Sequence, residues 1–312
     1  MTRPAAGALL AAAAVSAGSI SAGAISIELK DVSADRIERQ RAFVEGRMPL
    51  ARTPDVGHLR ERLAALGMSA GSPALVRIFK DTSELEVWLE KGERFELFAT
   101  YPICHWSGTL GPKQREGDKQ TPEGFYTITN RQMRQLGRWP TAINLGFPNA
   151  FDRAHRRDGS YILMHGGCSS VGCFAMTNPV INEVYGLVKA AIKDGQRHVP
   201  VHVFPFRLTD EALAQHAASP WHDFWTTLAA GYQSFERTRR PPRVGVCEGE
   251  YRVEDALPKQ AIAEDVADEK RKRGRSRTDS LLGAVHTGCP TPVVVTAEGK
   301  DQANGEAPRR TP

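Results

Sequence analysis

Beyond its first residues the chain has no uninterrupted apolar run long enough to cross a bilayer, which excludes a bundle of membrane-spanning helices. It has no internal repeat, and that sets aside solenoids and propellers. It also lacks a strong charge of one sign. The formal net charge is +5 over 312 residues, too mild an excess to indicate a nucleic-acid binder. Much of the basic signal is local, in Lys270, Arg271, Lys272, Arg273, Arg275 and Arg277. Such an excess suits solubility, and it would also suit an anionic polymer. There is no second compact Cys/His pair of the kind a closed structural zinc site needs. What remains is a composition ordinary for a soluble protein, with length for one sizeable core or two modest domains.

The N-terminus reads as an export signal. Arg3 gives a short basic start, Ala5 to Ile20 is a small-residue apolar stretch, and Ala22-Gly23-Ala24 has the small-x-small form of a cleavage site. Residues 1–24 are thus expected to be a signal peptide, with a mature chain starting near Ile25 in the periplasm and at most peripheral to the membrane. There are five cysteines: Cys104, Cys168, Cys173, Cys247 and Cys289. Exported proteins usually pair their cysteines, and an odd count leaves at least one unpaired within a monomer. A reactive thiol is one reason to leave it so.

Residues 25–73 read as a polar helical lead-in, with helix-like apolar spacing in Asp35 to Val44 and Leu59 to Leu66. Strands follow at Ala74 to Phe79, Glu84 to Leu89 and Arg94 to Ile103, separated by turn-like Lys80-Asp81-Thr82-Ser83 and Lys91-Gly92-Glu93, which is the pattern of a β-meander. The loop from Ser107 to Gly124 is rich in Gly, Lys and Pro, and loops this long inside compact domains are often functional. Further strands are expected at Phe125 to Thr129, Tyr161 to Met164 and Val199 to Phe204. Between the last two, Asn178 is a good N-cap with Pro179 at the first helical position. Val180, Ile181, Val184, Tyr185, Val188, Ala191 and Ile192 then form one apolar face. Ser219 and Pro220 open another helix whose aromatics, Trp221 to Phe235, read as core. The fold class is α+β, a β-sandwich or meander core with flanking helices over residues 74–240. Residues 241–312 read as a largely disordered tail rich in Pro and Arg, because its later part cannot bury enough apolar surface to offset ordering entropy.

One stretch carries chemistry. A strand delivers His165 to the Gly-rich loop Gly166-Gly167-Cys168-Ser169-Ser170-Val171-Gly172, the loop presents Cys173, and a helix begins just after. Thiol attack on an amide needs a thiolate, and a nearby imidazole can take the proton. The oxyanion that forms needs backbone N–H donors, and a small residue such as Gly172 lets backbone approach substrate closely. Three other readings stand beside acyl transfer. One is a buried His and Cys in an ordinary loop. Another is a metal held by His165, Cys168 and Cys173, although the loop offers no fourth ligand and no general-base carboxylate. The third is a Cys168–Cys173 disulfide, which would silence or regulate the thiol.

The stretch from His165 to Met176 resembles the active-site motif of the YkuD-type L,D-transpeptidases, in their YafK-like branch, with its His-Gly-x-Cys-x-Ser-x-Gly-Cys-x-Ala-Met pattern. The likeness extends to Tyr101 to Gly108, to Leu110-Gly111-Pro112-Lys113, to Glu116-Gly117-Asp118 and to Thr121 to Tyr126. It continues in Asn144 to His155 and Val201 to Arg207, so that it covers roughly residues 74 to 240. The sequence departs from the wider family's Ser-His-Gly-Cys followed by an apolar residue and Arg: here Ser170-Val171-Gly172-Cys173 precedes Phe174-Ala175. The resemblance implies the YkuD-like catalytic fold and a Cys173 thioester formed on meso-diaminopimelate stem peptides of peptidoglycan. In that scheme His165 is the base, and the N–H groups of Gly172 and Cys173 hold the oxyanion. It implies no cofactor, metal or nucleic acid. Either transpeptidation or hydrolysis would follow. The branch includes a hydrolase that frees a lysine-linked outer-membrane lipoprotein from peptidoglycan, and a non-catalytic wall-binding module is the remaining alternative.

The other residues read two ways. Ser170 orients His165 or the loop, or is a turn residue. Trp106 is a substrate wall or core. Arg153 and His155 meet a substrate carboxylate or sit on a solvated surface, and Lys113 is similar. Cys104 reads as a buried structural thiol.

Overall fold

The computed structural model describes residues 34–133 and 139–256, with the backbone of residues 285–286. The expected signal peptide, the start of the lead-in, the basic run and Cys289 lie outside the described residues. No helix among the described residues is long and apolar enough to cross a membrane.

The meander is present where the alternation placed it. Strands β1 (Ala74–Phe79), β2 (Glu84–Lys91) and β3 (Arg94–Pro102) pair antiparallel in sequence. Further on come β4 (Gly124–Ile128) and β8 (Val199–Phe204), and β8 pairs parallel with β1 and antiparallel with β4. The five-stranded sheet therefore runs β3-β2-β1-β8-β4. Its two central strands are buried along their whole length, as expected for strands covered on both faces. Val76, Ile78, Val201 and Val203 face helix α4 (Asn178–Lys193), whose Val180, Val184, Leu187 and Val188 are buried in the same core. Phe79 and Phe204 face the opposite helix, α6 (His222–Thr238), with Trp225, Leu228 and Tyr232. The aromatics of α6 are core, as their spacing indicated. Thr177 rather than Asn178 occupies the N-cap position of α4.

A second sheet of three short strands shares the α4 core. Strand β5 (Ala142–Asn144) pairs antiparallel with β6 (Leu163–His165), and β6 pairs parallel with β7 (Phe174–Ala175). Ile143, Met164 and Phe174 are buried in that core. Their neighbours along the strands, Ala142, His165 and Ala175, pair with one another across the sheet and project from the other face.

The lead-in is helical: α1 (Ala34–Val44), a short 3-10 turn and α2 (Leu59–Ala65). Between β5 and β6 lies the five-residue helix α3 (Ala150–Ala154), and α5 (Asp210–Gln215) precedes α6.

The expected boundary at residue 240 falls too early. Strands β9 (Arg243–Cys247) and β10 (Glu250–Glu254) form a hairpin, and β11 (Val285–His286) adds parallel to β9. The two-residue turn uses positive φ at Glu248 and Gly249, the geometry that matches strand twist. Val244, Val246 and Tyr251 enter the α6 core. The Tyr251 ring stacks on Phe151 at 4.2 Å and meets Phe125 edge-on at 5.0 Å, while its oxygen accepts from Asn149 Nδ2. The remainder of the expected tail lies outside the described residues. Replacing a fully packed aromatic by alanine costs about 3–5 kcal/mol. Tyr251→Ala is therefore expected to lower the unfolding free energy from urea titration by that order, where a disordered residue would leave it unmoved.

Candidate active site

Strand β6 alternates Met164 into the core and His165 out of it. The His165 ring is buried at 2 % exposure and lies flat against Trp139, with centroids 4.0 Å apart. Its Nδ1 is 2.6 Å from the Gly166 carbonyl, which can only accept. Nδ1 must therefore carry the hydrogen, leaving Nε2 as the basic nitrogen. Gly167 (φ +86°) follows, and a Cβ there would meet the Trp139 ring at 2.5 Å. Glycine is thus what allows the indole to cover the histidine.

Cys168 is bonded to Cys104, closing a separation of 64 residues. This overturns both the Cys168–Cys173 pairing and the metal reading, since a sulfur in a disulfide is no thiolate ligand. Cys104 is likewise a disulfide partner and not a buried thiol. Cys247 is disulfide-bonded too. The loop is backed by α1: the Gln40 amide donates to the Cys168 carbonyl, and Ala42 and Leu50 pack on the disulfide.

Ser170 organises the next turn. Its Oγ accepts from the Cys173 N–H at 2.7 Å and donates to the Cys173 carbonyl at 2.6 Å. Gly172 sits at φ +95°, where side chains other than hydrogen are strained, and its N–H donates to Ser107 Oγ at 2.5 Å. The two N–H groups expected to hold an oxyanion are therefore both engaged by serine hydroxyls.

Cys173 is the free cysteine among the described residues, and it is half-buried. Its Sγ accepts from the Leu163 N–H at 3.3 Å and lies 3.5 Å from the Tyr161 carbonyl. The sulfur's hydrogen bonds go to these backbone groups and not to the imidazole. His165 pairs with Ala175, two residues beyond the cysteine, on the same short sheet. Burial pushes the thiol above its ordinary pKa, against the Leu163 N–H and the nearby Lys113 cation, which pull it down.

Lys113 comes from the Ser107–Gly124 loop and is buried, not a solvated surface group. Its ammonium bonds Asp118 at 2.5 Å and the Arg115 carbonyl at 2.8 Å. Burial raises the Asp118 pKa, but Lys113 and the N–H groups of Gln120, Arg115 and Gln114 outweigh it and hold the carboxyl below its ordinary range. The loop is anchored underneath by Lys80, fully buried, whose Nζ contacts Glu123 Oε1 at 2.8 Å and the carbonyls of Gly111 and Thr121. Burial is the main influence on Lys80 and lowers its pKa against the pull of Glu123. Thr121 in turn brackets Ser107: its Oγ1 accepts from the Ser107 N–H, and its N–H donates to the Ser107 carbonyl, both at 3.0 Å.

Trp106 is core and not a substrate wall. It is 2 % exposed, with the Arg36 guanidinium 3.8 Å from its ring centroid and its Nε1 bonded to Ser83. Arg153 and His155 are exposed on and after α3. Arg153 bonds the Pro148 carbonyl and His155 stacks on Phe151 at 4.0 Å, so neither joins the cysteine loop. Ser107, Trp139 and the Lys80–Glu123 pair had no assigned role in the sequence, because each meets its partner far along the chain.

The family profile of the YkuD L,D-transpeptidase catalytic domain matches residues 75–203. Over 197 residues the chain is 45 % identical to an Escherichia coli K12 protein named "Putative L,D-transpeptidase YafK", covering 63 % of this chain and 80 % of that protein. The chain belongs to the YkuD family of L,D-transpeptidase catalytic domains. Two solved structures also align at 21 % identity. The helical cell shape determining protein Pgp2 of Campylobacter jejuni has a TM-score of 0.35, over 59 % of this chain and 68 % of that one. Bd1075 of Bdellovibrio bacteriovorus has a TM-score of 0.32, over 65 % and 72 %.

Two outcomes follow from the site's electrostatics. Glu123→Gln strands a buried ammonium, which is expected to cost about 3–5 kcal/mol in urea unfolding. Lys113→Met removes a cation that favours the thiolate. The midpoint of the pH–rate curve for iodoacetamide alkylation of Cys173 should already lie above that of an ordinary thiol, and the substitution should move it higher still. A midpoint that falls or stays would remove Lys113 from the site's electrostatics.

Proposed function

We propose that the chain is an exported cysteine acyl-transfer enzyme acting on meso-diaminopimelate-containing peptidoglycan stem peptides. The observation that carries this is the isolation of one thiol. Cys173 stays free and partly exposed on a loop whose other cysteine is locked to Cys104. The disulfide also fits an oxidising compartment, in keeping with a periplasmic location and a cleaved signal peptide.

The chemistry begins from a protonated thiol, because burial holds its pKa up. A base is therefore required, and His165 Nε2 is the nitrogen that its Nδ1 bond to Gly166 leaves basic. The thiol, leaving its contact with the Tyr161 carbonyl, passes its proton to Nε2, and the sulfur attacks the carbonyl at the L-centre of the diaminopimelate residue. The tetrahedral oxyanion collapses, the leaving amine takes the proton back from the imidazolium, and a Cys173 thioester remains. An amine acceptor then gives a cross-link, and water gives a freed carboxylate. Hydrolysis at a lysine-linked lipoprotein junction would use the same acyl-enzyme. The name of the Escherichia coli relative supports the transpeptidase reading.

Intact-mass measurement with a carbapenem or a tetrapeptide donor tests the scheme. The wild-type chain should gain an adduct that Cys173→Ala lacks, and the rate should fall as acid protonates His165. Absence of any such adduct under reducing conditions removes the proposal. Digestion of purified sacculi then assigns the outcome, new 3-3 cross-links for transfer or released lysine-bearing stubs for hydrolysis.

A further inference from the structure

The oxyanion formed on the substrate as Cys173 attacks needs donors in a dry, fixed setting. The expected pair, the N–H groups of Gly172 and Cys173, already point into hydroxyls, at 2.5 Å and 2.7 Å. The two hydroxyls are not equivalent. Ser170 has spent its proton as well, donating to the Cys173 carbonyl at 2.6 Å. Ser107 accepts from Gly172, and no acceptor for its own proton occurs among the described hydrogen bonds. It is a buried O–H donor with no acceptor among the described residues, standing on the N–H where the oxyanion was expected.

We propose that Ser107 is a catalytic residue of the acyl-transfer reaction, donating its hydroxyl hydrogen bond to the carbonyl oxygen of the substrate as Cys173 adds to that carbon. This rests on the acyl-transfer reading of Cys173. The chain of donors runs from the Gly172 N–H to Ser107 Oγ, and from Ser107 O–H to the developing oxyanion. A hydroxyl that accepts a hydrogen bond is polarised into a better donor, more so in a low-dielectric site. No proton changes hands on this arm. The hydrogen bond strengthens as negative charge grows on the oxygen and weakens when the intermediate collapses.

Placement is what lets a flexible hydroxyl do this. The Ser107 backbone is held on both sides by Thr121, through its Oγ1 and its N–H at 3.0 Å each. The Thr121 carbonyl is itself held by buried Lys80 at 3.1 Å. The donor is therefore positioned before substrate arrives, with no reorganisation needed during the step. The Lys113 cation, whose field already reaches Cys173, favours the same charge.

The experiment compares two reactions of the same thiol in Ser107→Ala and Ser107→Thr. Thioester formation with a tetrapeptide donor develops an oxyanion, and alkylation by iodoacetamide does not. Ser107→Ala should slow thioester formation about 100-fold, the usual loss for one oxyanion donor. It should leave the alkylation rate unchanged while lowering the urea midpoint modestly, because the Gly172 N–H loses its acceptor, and Ser107→Thr, which keeps the hydroxyl, should recover most of the rate. Faster thioester formation in Ser107→Ala would overturn the proposal and make the hydroxyl a plug on the Gly172 N–H. Equal losses in both reactions, or no loss in either, would overturn it in favour of a structural link. A wild-type chain that alkylates at Cys173 but forms no thioester would instead overturn the acyl-transfer reading itself, and the Ser107 role with it.

Discussion

The buried Lys80–Glu123 pair is the constraint on which the site depends. Both side chains are fully buried, and taking two charges out of water is unfavourable unless every donor and acceptor is met. Here they are met. The ammonium's three protons go to Glu123, the Gly111 carbonyl and the Thr121 carbonyl. The carboxylate also accepts from the Gly111 N–H and from Trp225 Nε1. Each of those partners except Trp225 belongs to the Ser107–Gly124 loop. The pair therefore cannot be satisfied unless that loop is closed over it. Through Thr121 and Ser107 the same closure reaches the Gly172 N–H, beside the thiol. A loop with little to pack by its own composition becomes a fixed wall because charges beneath it demand its backbone.

The other wall is held by a covalent tie and by arginines. The Cys104–Cys168 bond joins the end of the meander to the histidine loop. Helix α1 then covers the joint. Arg36 donates to the carbonyls of Trp106 and Gly108, and Arg39 to those of Thr82, Ser83 and Ile103. Burial lowers the Arg36 pKa to about 10 against the pull of Asp35, which still leaves it charged near neutrality. The described part of the lead-in satisfies backbone carbonyls that irregular chain around the site would otherwise leave unmet.

What was legible in the sequence was what repeats with a short period. β1, β2, β3 and β8 alternate or run apolar, and α4 and α6 carry one apolar stripe, so their limits were readable to within a few residues. The His165 and Cys173 loop was legible as chemistry because both residues fall within one short stretch. β9 and β10 were not. Each is five residues long, the Pro241-Pro242 step precedes them, and the charged flanks mask the alternation of Val244, Val246 and Tyr251. Nor were the contacts that shape the site, since Ser107 to Gly172 spans 65 positions and Trp139, in irregular chain before β5, meets His165 on β6. Trp106, Arg153 and His155 show the limit from the other side: polar or aromatic character near a motif does not say which way a side chain turns.

The odd number of cysteines acquires a physical meaning in this arrangement. Cys168 lies only five positions before Cys173, near enough in sequence to be a competing partner for its sulfur. Bonding to Cys104 removes that competitor and leaves Cys173 free. Burial then keeps Cys173 as a thiol rather than a thiolate, and thiolates are the form that oxidation and exchange consume. In an oxidising compartment a nucleophile with a depressed pKa would be exposed to loss between turnovers. On the proposed acyl-transfer reading, the thiolate is made on demand by an imidazole whose tautomer is already set. The burial that raises the thiol pKa would then also protect the sulfur, and would leave the proposed base and oxyanion donor to carry the chemistry.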